Sequence, residues 1–331
     1  MSSRRALTAA LLLGCALAAG GCGGGDDGGP DQPPAPAPGE AFPDPGGRSL
    51  AEMRKRFGEG GPVLAPSVST LQVGRNRFGF GLFDRSRDEV SDADAVVYVA
   101  PVGGGPASGP YPASAESLRV EEGYRSHGSN DDNTTTTMYS AVLTFERPGR
   151  YEVLGMARLD DRLVAATSSV AEFTVMKDDP VLDVGERAPK VHTPTLEELG
   201  DDVGSIDTRT PPSTMHEADL AEVLGRRPAV MLFAHLSPCE AGVCVSVVDV
   251  AEQVKAKWGE RVEFVYMDAY KNHDPQQGFA PQAEAWGLGT EPWAFTIDRR
   301  GRVAARLEGA FGTRELSAAV EQALERESGA G

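Results

Sequence analysis

The stretch FAHLSPCEAGVC, residues 233–244, holds two cysteines with four residues between them. Two nearby thiols can act as a dithiol/disulfide couple, bind a metal ion, or form a permanent cross-link. In an ideal helix, residues five apart have Cα atoms about 8.6 Å apart, which is too far for a disulfide. If the pair is bonded, Cys239 must therefore precede the helix that follows, and Cys244 must lie in or near its first turn. Gly242 offers the flexibility for such a bend.

The position of the pair ahead of a helix favours a reactive thiol. Backbone N–H groups at a helix N-terminus stabilise a thiolate and lower its pKa. Cys239 is therefore the candidate nucleophile, and Cys244 is the candidate resolving cysteine, which attacks the mixed disulfide and releases the product. Glu240 opposes this arrangement, because it places a second negative charge beside the nucleophile.

Two other interpretations of the pair stay open. A permanent disulfide would close a loop of only six residues, which stabilises by roughly 2 kcal/mol in the chain-entropy model. His235 and His273 are weak candidates for metal ligands, because imidazole and thiolate groups together suit copper or zinc. His273 lies in the polar stretch YKNHDPQQG, where a surface histidine is the ordinary interpretation. We expect no other bound cofactor.

The last hundred residues alternate between strand and helix patterns. AVMLFA, residues 229–234, is a continuous apolar run typical of a strand buried on both faces. The spacing then predicts a helix over 245–258, a second strand in RVEFVYMDA, and a helix over 281–286. WAFTID and RVAARLEG flank the turn RRG as a hairpin, and TRELSAAVEQALERE closes as an amphipathic helix.

This order resembles a thioredoxin-like domain over roughly residues 185–324. The features that carry the resemblance are the cysteine pair between the first core strand and its helix, MDAYKN at the end of the next strand, and GLGTEPWAF leading into the hairpin. The resemblance implies an α/β domain with a central mixed sheet flanked by helices. It also implies a cis proline before the hairpin strand that faces the reactive cysteine, and Pro292 holds that position. VGERAPK resembles the opening G-x-x-A-P of peroxiredoxins and thioredoxin-like lipoproteins.

The chain departs from the thioredoxin pattern in two ways. Thioredoxins space their cysteines C-x2-C and keep a buried acid in the strand that AVMLFA occupies, where this chain has none. C-x4-C resembles one class of peroxiredoxins, in which the second cysteine resolves a sulfenic acid. Leu232 and Leu236 stand at the Pro and Thr positions of the peroxiredoxin frame, so peroxidase activity is disfavoured. Copper-chaperone relatives of thioredoxins use C-x3-C with a distant histidine.

Residues 63–176 show short alternating runs broken by turn residues, which predicts an all-β antiparallel sandwich. PGRYEV resembles the corner of immunoglobulin-like domains in which a tyrosine, here Tyr151, hydrogen-bonds back across the turn. We therefore expect an immunoglobulin-like domain that acts as a spacer or recognition module. The polar segment 103–137 is predicted to be a long loop.

Residues 1–21 are typical of an export signal, with two arginines ahead of an apolar run and small residues before Cys22. The run is too short to span a bilayer comfortably. AGGC resembles the lipobox of bacterial lipoproteins, which are cut before a cysteine that then carries diacylglycerol. The resemblance implies lipidation of Cys22, with LLGC at Cys15 as an alternative that leaves a short signal. An ordinary secretory signal is the remaining interpretation.

The boundaries that follow are a tether over 22–62, the β domain over 63–176, a connector over 177–228 and the thioredoxin-like core over 229–327. The tether is rich in Gly, Pro and Asp, so it is predicted to be disordered. Once Cys15 leaves with the signal and Cys22 is lipidated, the exported body keeps one cysteine pair, which outside the cytoplasm favours a disulfide.

Composition limits the partners of the chain. A formal net charge of −17 over 331 residues argues against nucleic acid, because a nucleic-acid binder needs a basic face. We expect a protein thiol or disulfide substrate, or an envelope protein partner, with membrane attachment only through the lipid. The predicted function is thiol–disulfide exchange outside the cytoplasm. The competing class is a non-catalytic scaffold or binding lipoprotein with a structural disulfide.

Overall fold

The computed structural model describes residues 36–58, 60–127, 135–200, 202–236 and 243–328. The predicted signal peptide with Cys15 and Cys22 lies outside these residues, and so do Cys239 and Glu240. The helices are α1 (Leu50–Phe57), α2 (Leu196–Leu199), α3 (Leu220–Val223), α4 (Val243–Trp258), α5 (Pro281–Ala285) and α6 (Thr313–Ser328). The strands are β1 (Val63–Pro66), β2 (Leu71–Gln72), β3 (Gly74–Phe83), β4 (Asp94–Pro101), β5 (Ser108–Ser117), β6 (Thr137–Phe145), β7 (Gly149–Leu159), β8 (Arg162–Ser168), β9 (Phe173–Met176), β10 (Ala229–Ala234), β11 (Glu263–Asp268), β12 (Trp293–Ile297) and β13 (Val303–Glu308).

The N-terminal strands form a closed ring of seven. The pairing runs β7–β4–β5–β6–β3–β1–β8, and β8 pairs again with β7. Most of these pairs are antiparallel, and the short contact between β1 and β8 is parallel. The all-β prediction is met, but this ring differs from the predicted immunoglobulin-like sandwich. The reason is that β8 reaches both β7 and β1 and so joins the two edges that a sandwich leaves separate.

Local patterns within this barrel follow the sequence. The alternating apolar side chains of NRFGFGLFD and MYSAVLTF are buried in one core, where the rings of Phe80 and Tyr139 stack with centroids 5.5 Å apart. The hydroxyl of Tyr151 donates to the carbonyl oxygen of Arg147 at 2.9 Å, which is the predicted hydrogen bond across the turn. The predicted loop over 103–137 is wrong in its first half, where β5 pairs with both β4 and β6. Its sequence, SGPYPASAES, gives a weak strand signal, because prolines and small residues interrupt the alternation of apolar and polar side chains.

Part of the predicted tether is folded. Helix α1 begins after Ser49, whose hydroxyl accepts from the Glu52 N–H while the Glu52 carboxylate accepts from the Ser49 N–H, a complete capping box. Leu50 and Met53 lie on one face of α1 and are buried in a core shared with β4, β7 and Phe42. From residue 36 onward the segment therefore belongs to the barrel, because these few apolar side chains are spaced to share one helical face.

The C-terminal part contains a second sheet, with strand order β11–β10–β12–β13. β10 and β11 are parallel, and the pairs β10–β12 and β12–β13 are antiparallel. Residues of β10 alternate between two cores, one with α4 and α6 and one with α5, so β10 is buried on both faces as predicted. The predicted order of strand, helix, strand, helix, hairpin and helix is confirmed. It is the mixed, helix-flanked sheet that the thioredoxin-like resemblance implies.

The connector covers α4 with a polar network. The guanidinium of Arg209 contacts the Asp249 carboxylate at 3.0 Å, and both side chains are almost fully buried. Glu252 accepts hydrogen bonds from Ser213 and Thr214. Helix α3 is the short helix of this connector, and its buried Leu220 packs in the core with β10. Among the described residues, no helix has the length and apolar character needed to cross a membrane.

The barrel and the second sheet share an interface that is both apolar and ionic. Leu118, Val120 and Met138 of the barrel extend the core formed by α4, α6 and β10. Arg77 on β3 reaches the end of β13 and the start of α6, where its Nη1 donates to the carbonyl oxygen of Glu308 at 2.6 Å and its Nε donates to Glu315 at 2.6 Å. The barrel is therefore packed onto the thioredoxin-like domain.

Candidate functional site

The predicted reactive segment lies between two well-placed elements. β10 ends at Ala234, and α4 begins at Val243, so Cys244 is the second residue of a helix of 16 residues. This is the first-turn position that the spacing argument requires of Cys244. Cys239 lies outside the described residues, and so does the geometry of the pair.

Pro292 stands at the start of β12, next to the end of β10. The Glu291–Pro292 peptide bond is cis. Trp293, the next residue, pairs with Phe233 in the sheet. The backbone N–H of His235 donates to the Glu291 carboxylate at 3.1 Å, which ties the loop before β12 to the end of β10. The end of β10 and the proline loop therefore meet at one end of the sheet, and α4 is the next helix in the chain.

A buried acid lies at this end of the sheet, on β11 rather than on β10. Asp268 is the last residue of β11 and pairs with Ala234, the last residue of β10. Its side chain is 5% exposed. The Oδ1 atom accepts from the N–H of Tyr270 at 2.8 Å. β10 itself carries no acid, but β11 delivers one to the same edge of the sheet.

Both weak metal candidates contact this acid. The Nδ1 atom of His235 lies 2.9 Å from Asp268 Oδ2, and the Nδ1 atom of His273 lies 2.7 Å from the same oxygen. A carboxylate only accepts hydrogen bonds, so both rings carry their proton on Nδ1. The Nε2 atoms of both rings are buried and have no hydrogen-bond partner among the residues that the structure describes. We call Asp268, His235 and His273 the carboxylate–imidazole cluster.

The backbone around His273 is unusual. Asn272 and His273 both have positive φ angles, 51° and 56°, in the left-handed region that non-glycine residues rarely adopt. Such conformations persist where surrounding contacts impose them, and they concentrate at functional sites. The Nδ1 contact of His273 with Asp268 is one such contact, and the hydrogen bond from Asn272 Nδ2 to Gln277 Oε1 at 2.9 Å is another.

A cavity of about 380 Å³ borders the cluster. Asp268 and His273 contribute to its wall, together with residues of the connector and of the turns after β11. Tyr266 also lines it, and burial raises the pKa of this phenol well above its ordinary value, with further contributions from nearby carboxylates. The tyrosine therefore stays neutral beside the cluster.

The described residues contain no group of three or more histidine, cysteine, aspartate or glutamate side chains arranged to hold a metal ion. Within those residues, His235 and His273 meet on a carboxylate rather than on a shared open coordination site. The metal interpretation therefore gains no ligand set from this part of the chain.

Sequence reasoning missed Asp268, although MDAYKN was singled out as the end of a strand. The signal was present, because an aspartate closing an apolar strand beside the cysteine strand is expected at the same sheet edge when the two strands are parallel. The thioredoxin pattern has its acid in the strand that AVMLFA occupies, whereas here the register between β10 and β11 brings Asp268 to the same edge of the sheet.

Comparisons with known proteins give structural neighbours of low similarity. No protein-family model matches the chain, and no curated protein matches it. A thiol:disulfide interchange protein of the thioredoxin family from Chlorobium tepidum TLS aligns at 19% identity over 43% of this chain and 98% of its own, with a TM-score of 0.28. The dsbF protein of MTB aligns at 22% identity over 33% of this chain and 90% of its own, with a TM-score of 0.24.

A purple acid phosphatase, PPD1 from yellow lupin (Lupinus luteus) seeds, aligns at 10% identity over 70% of this chain and 39% of its own, with a TM-score of 0.29. At TM-scores of 0.29 or lower, these similarities establish neither the fold nor the activity of the chain. The function proposed for the chain is therefore argued from its own strand order and site residues.

Proposed function

We propose that this chain is an envelope-anchored, thioredoxin-like protein that performs thiol–disulfide exchange through Cys239 and Cys244. One observation supports the proposal: the end of β10 lies beside the cis proline Pro292 at the start of β12, and α4 is the next helix in the chain after β10. The segment that holds Cys239 joins two of these three elements. The proposed substrate is a protein thiol or disulfide.

The chemistry follows from the helix that begins after the cysteine segment. The N-terminus of a 16-residue helix stabilises a nearby thiolate, because its first N–H groups have no partner within the helix. Cys239 attacks a disulfide sulfur of the substrate, and Cys244 then attacks the mixed disulfide. The substrate leaves as a dithiol, and the Cys239–Cys244 pair is left oxidised.

A redox titration of the full chain tests this proposal. The protein is equilibrated in thiol/disulfide buffers of graded potential, and the Cys239 and Cys244 peptides are followed by alkylation and mass spectrometry. A potential above about −300 mV is expected of an exchange-active pair. A pair that stays oxidised below that potential supports the alternative, a scaffold or binding lipoprotein with a structural disulfide.

Trapping distinguishes a nucleophile from a merely reducible cysteine. Cys244→Ser is expected to accumulate mixed disulfides at Cys239, because the resolving thiol is missing. Cys239→Ser is the matched control and is expected to accumulate none. Equal trapping by both variants contradicts the assigned roles.

The anchor is tested separately. We propose that Cys22 is the lipidated N-terminus of the mature protein, on the strength of AGGC and the apolar run before it. Labelled fatty acid is expected to enter the wild-type chain in a bacterial host, and Cys22→Ala is expected to lose the label and the membrane fraction. The variant Cys15→Ala, at the competing position, is expected to keep both.

A further inference from the structure

We propose that the cavity of about 380 Å³ beside Asp268 is a binding site for an organic cation that carries N–H donors, an alkylammonium or a guanidinium group. Such a group belongs either to a free small amine or to a lysine or arginine side chain of a protein partner. The site is independent of the exchange function proposed above. Its lining residues belong to the connector, to β11 and to the stretch from β11 to the start of α5, and the structure describes each of them.

The cavity has the dimensions of a small-molecule site. Protein sites for small ligands have volumes of roughly 300–1,000 Å³, and they combine apolar walls with a few polar groups. Here the apolar part of the wall comes from five residues of the connector, of β11 and of the start of α5: Pro194, Ile206, Met267, Ala280 and Pro281. A short alkyl chain can therefore pack against this part of the wall while its polar end reaches the groups described next.

Two histidines line the cavity, and a buried aspartate holds each of them. Nε2 of His216 lies 3.0 Å from Asp207 Oδ2. Nδ1 of His273 lies 2.7 Å from Asp268 Oδ2. A carboxylate only accepts, so each neutral ring donates from that nitrogen and accepts at the other one. No described residue hydrogen-bonds to these two acceptors, Nδ1 of His216 and Nε2 of His273, so a ligand with N–H groups would satisfy them.

The charge around the cavity favours a cation. The side chains of Asp207 and Asp268 are 0% and 5% exposed, and their side-chain partners among the described residues are imidazoles. Two cations of this region, Arg209 and Lys271, each pair with another carboxylate, at 3.0 and 3.2 Å. Buried charges are screened less than exposed ones. The two aspartates therefore give the cavity a negative potential that a positive ligand lowers.

Aromatic rings and amide oxygens complete the wall. Tyr266 and Tyr270 line the cavity, and the faces of aromatic rings attract cations. Nδ2 of Asn272 donates to a neighbouring amide oxygen at 2.9 Å, and Nε2 of Gln282 donates to a backbone carbonyl oxygen at 2.9 Å. No described residue donates to the amide oxygens of these two side chains. Both oxygens therefore add acceptors to a wall whose histidines already accept.

The test is isothermal titration calorimetry of the full chain with three probes of equal length. Cadaverine carries an ammonium group at each end, its diol analogue carries hydroxyl groups there, and glutarate carries carboxylates. Cadaverine is expected to bind at one site per chain. The diol is expected to bind at least about tenfold more weakly, because hydrogen bonds to a charged group are stronger than those between neutral groups. Glutarate is expected not to bind, because its charge has the same sign as the two aspartates.

Two pairs of variants locate the binding. Ile206→Trp fills the cavity without changing the net charge and is expected to abolish cadaverine binding. Val203→Trp, a few residues earlier in the connector and outside the lining, is its control and is expected to bind normally. His273→Leu removes one acceptor and is expected to weaken binding about tenfold. His127→Leu removes an exposed histidine elsewhere and is expected to change nothing. Amine binding that is spread over the acidic surface would instead be equal in all four variants.

Three results would overturn the proposal: no binding of cadaverine, binding of glutarate at least as tight as that of cadaverine, or equal binding by Ile206→Trp and Val203→Trp. Should His273→Leu fail to fold, the tryptophan pair decides, since both positions are only half-buried. Lysine and arginine blocked at both backbone ends identify the source of the cation. Binding as tight as that of cadaverine supports a protein side chain, and weaker binding supports a free amine.

Binding of an amine needs no thiol. The double variant that lacks Cys239 and Cys244 is therefore expected to bind cadaverine as the wild type does. A chain that fails to exchange disulfides but binds cadaverine overturns only the exchange function. A chain that exchanges disulfides but does not bind cadaverine overturns only the cation site.

Discussion

Asp268 and Glu308 are both buried carboxylates, and each is the last residue of a strand in the same sheet. Their surroundings differ. Glu308 accepts hydrogen bonds from Ser69 and Thr70 of the barrel and from Thr290 beside the proline loop, so both of its oxygens have partners. Asp268 accepts from two imidazoles whose Nε2 atoms have no partner in the described part of the chain.

This difference separates a structural joint, in which Glu308 connects the barrel to the second sheet, from a candidate functional site around Asp268. We call the first of these the joint. Donors to Glu308 are backbone N–H groups and small hydroxyls, and the Thr290 hydroxyl in turn accepts from the indole N–H of Trp293. Donors to Asp268 pass the effect of the carboxylate on to a second atom that can bind a proton. A buried network in which every polar atom has a hydrogen-bond partner rigidifies the structure. A buried polar atom without a partner costs free energy, so it calls for an explanation such as a functional role.

The joint continues through Arg77. All of its side-chain nitrogens have partners, including the carbonyl oxygens of Glu308 and Ala310 and the carboxylate of Glu315. Burial by itself lowers the pKa of this guanidinium, but the carboxylates of Glu315, Glu116 and Glu308 outweigh burial and raise it. The barrel is thus held to the loop that follows β13.

The largest expected effect is the loss of this joint. Arg77→Met leaves Glu315 and two carbonyl oxygens without their donor, and breaking a buried ion pair costs about 3–5 kcal/mol. We expect the free energy of unfolding in urea to fall by that amount. Arg75→Met, an exposed position on the same strand, is the control and is expected to change it by less than about 0.5 kcal/mol. Equal effects at the two positions contradict the assignment of the joint.

The close packing of the barrel against the loop after β13 is tested at Gly309. A Cβ added there lies 2.1 Å from the carbonyl oxygen of Ser67, and φ is +72°. Gly309→Ala is expected to destabilise by about 2–4 kcal/mol, from backbone strain plus the clash. Gly301→Ala has a similar φ, +77°, and its nearest neighbour is 3.6 Å away, so it is expected to cost about 1–2 kcal/mol. If the two variants lose the same stability in thermal or urea unfolding, the contact between Gly309 and Ser67 does not contribute.

The buried carboxyl of Glu308 is expected to make the stability of the chain depend on pH. Burial raises the pKa of Glu308 above its ordinary 4.5, so the folded chain binds this proton more tightly than the unfolded chain. Relative to Glu308→Gln, the wild type is therefore expected to gain stability as the pH falls from neutral to 4.5. The measurement is the difference in unfolding free energy between the two proteins across that range. A difference that does not vary with pH contradicts the burial effect.

The smallest stability effect is expected on the site side of the comparison. His235→Asn keeps a donor to Asp268 and removes a nitrogen that has no partner among the described residues, so the free energy of unfolding is expected to change by less than about 1 kcal/mol. The measurement is urea unfolding beside Arg77→Met. A loss as large as that of Arg77→Met would make the cluster a second structural joint.

Much of the C-terminal domain was predictable from local patterns. AVMLFA is buried on both faces, the hairpin follows Pro292, and the helix after the cysteine segment begins at Val243, two residues before the predicted start. These features depend on apolar periodicity and on residues with narrow conformational choices. β5 and α1 were missed because prolines, glycines and short apolar spacing weaken the same periodic signal.

The sequence by itself indicated a cysteine pair at the start of a helix and a proline turn ahead of a hairpin, which is the basis of the proposed chemistry. It also determined the order of the elements in the second sheet. Only the tertiary structure decided that the barrel closes, that Glu308 and Arg77 join it to the sheet, and that His235 and His273 share Asp268. Those facts depend on strand register and on contacts between residues far apart in the chain, which no local pattern encodes.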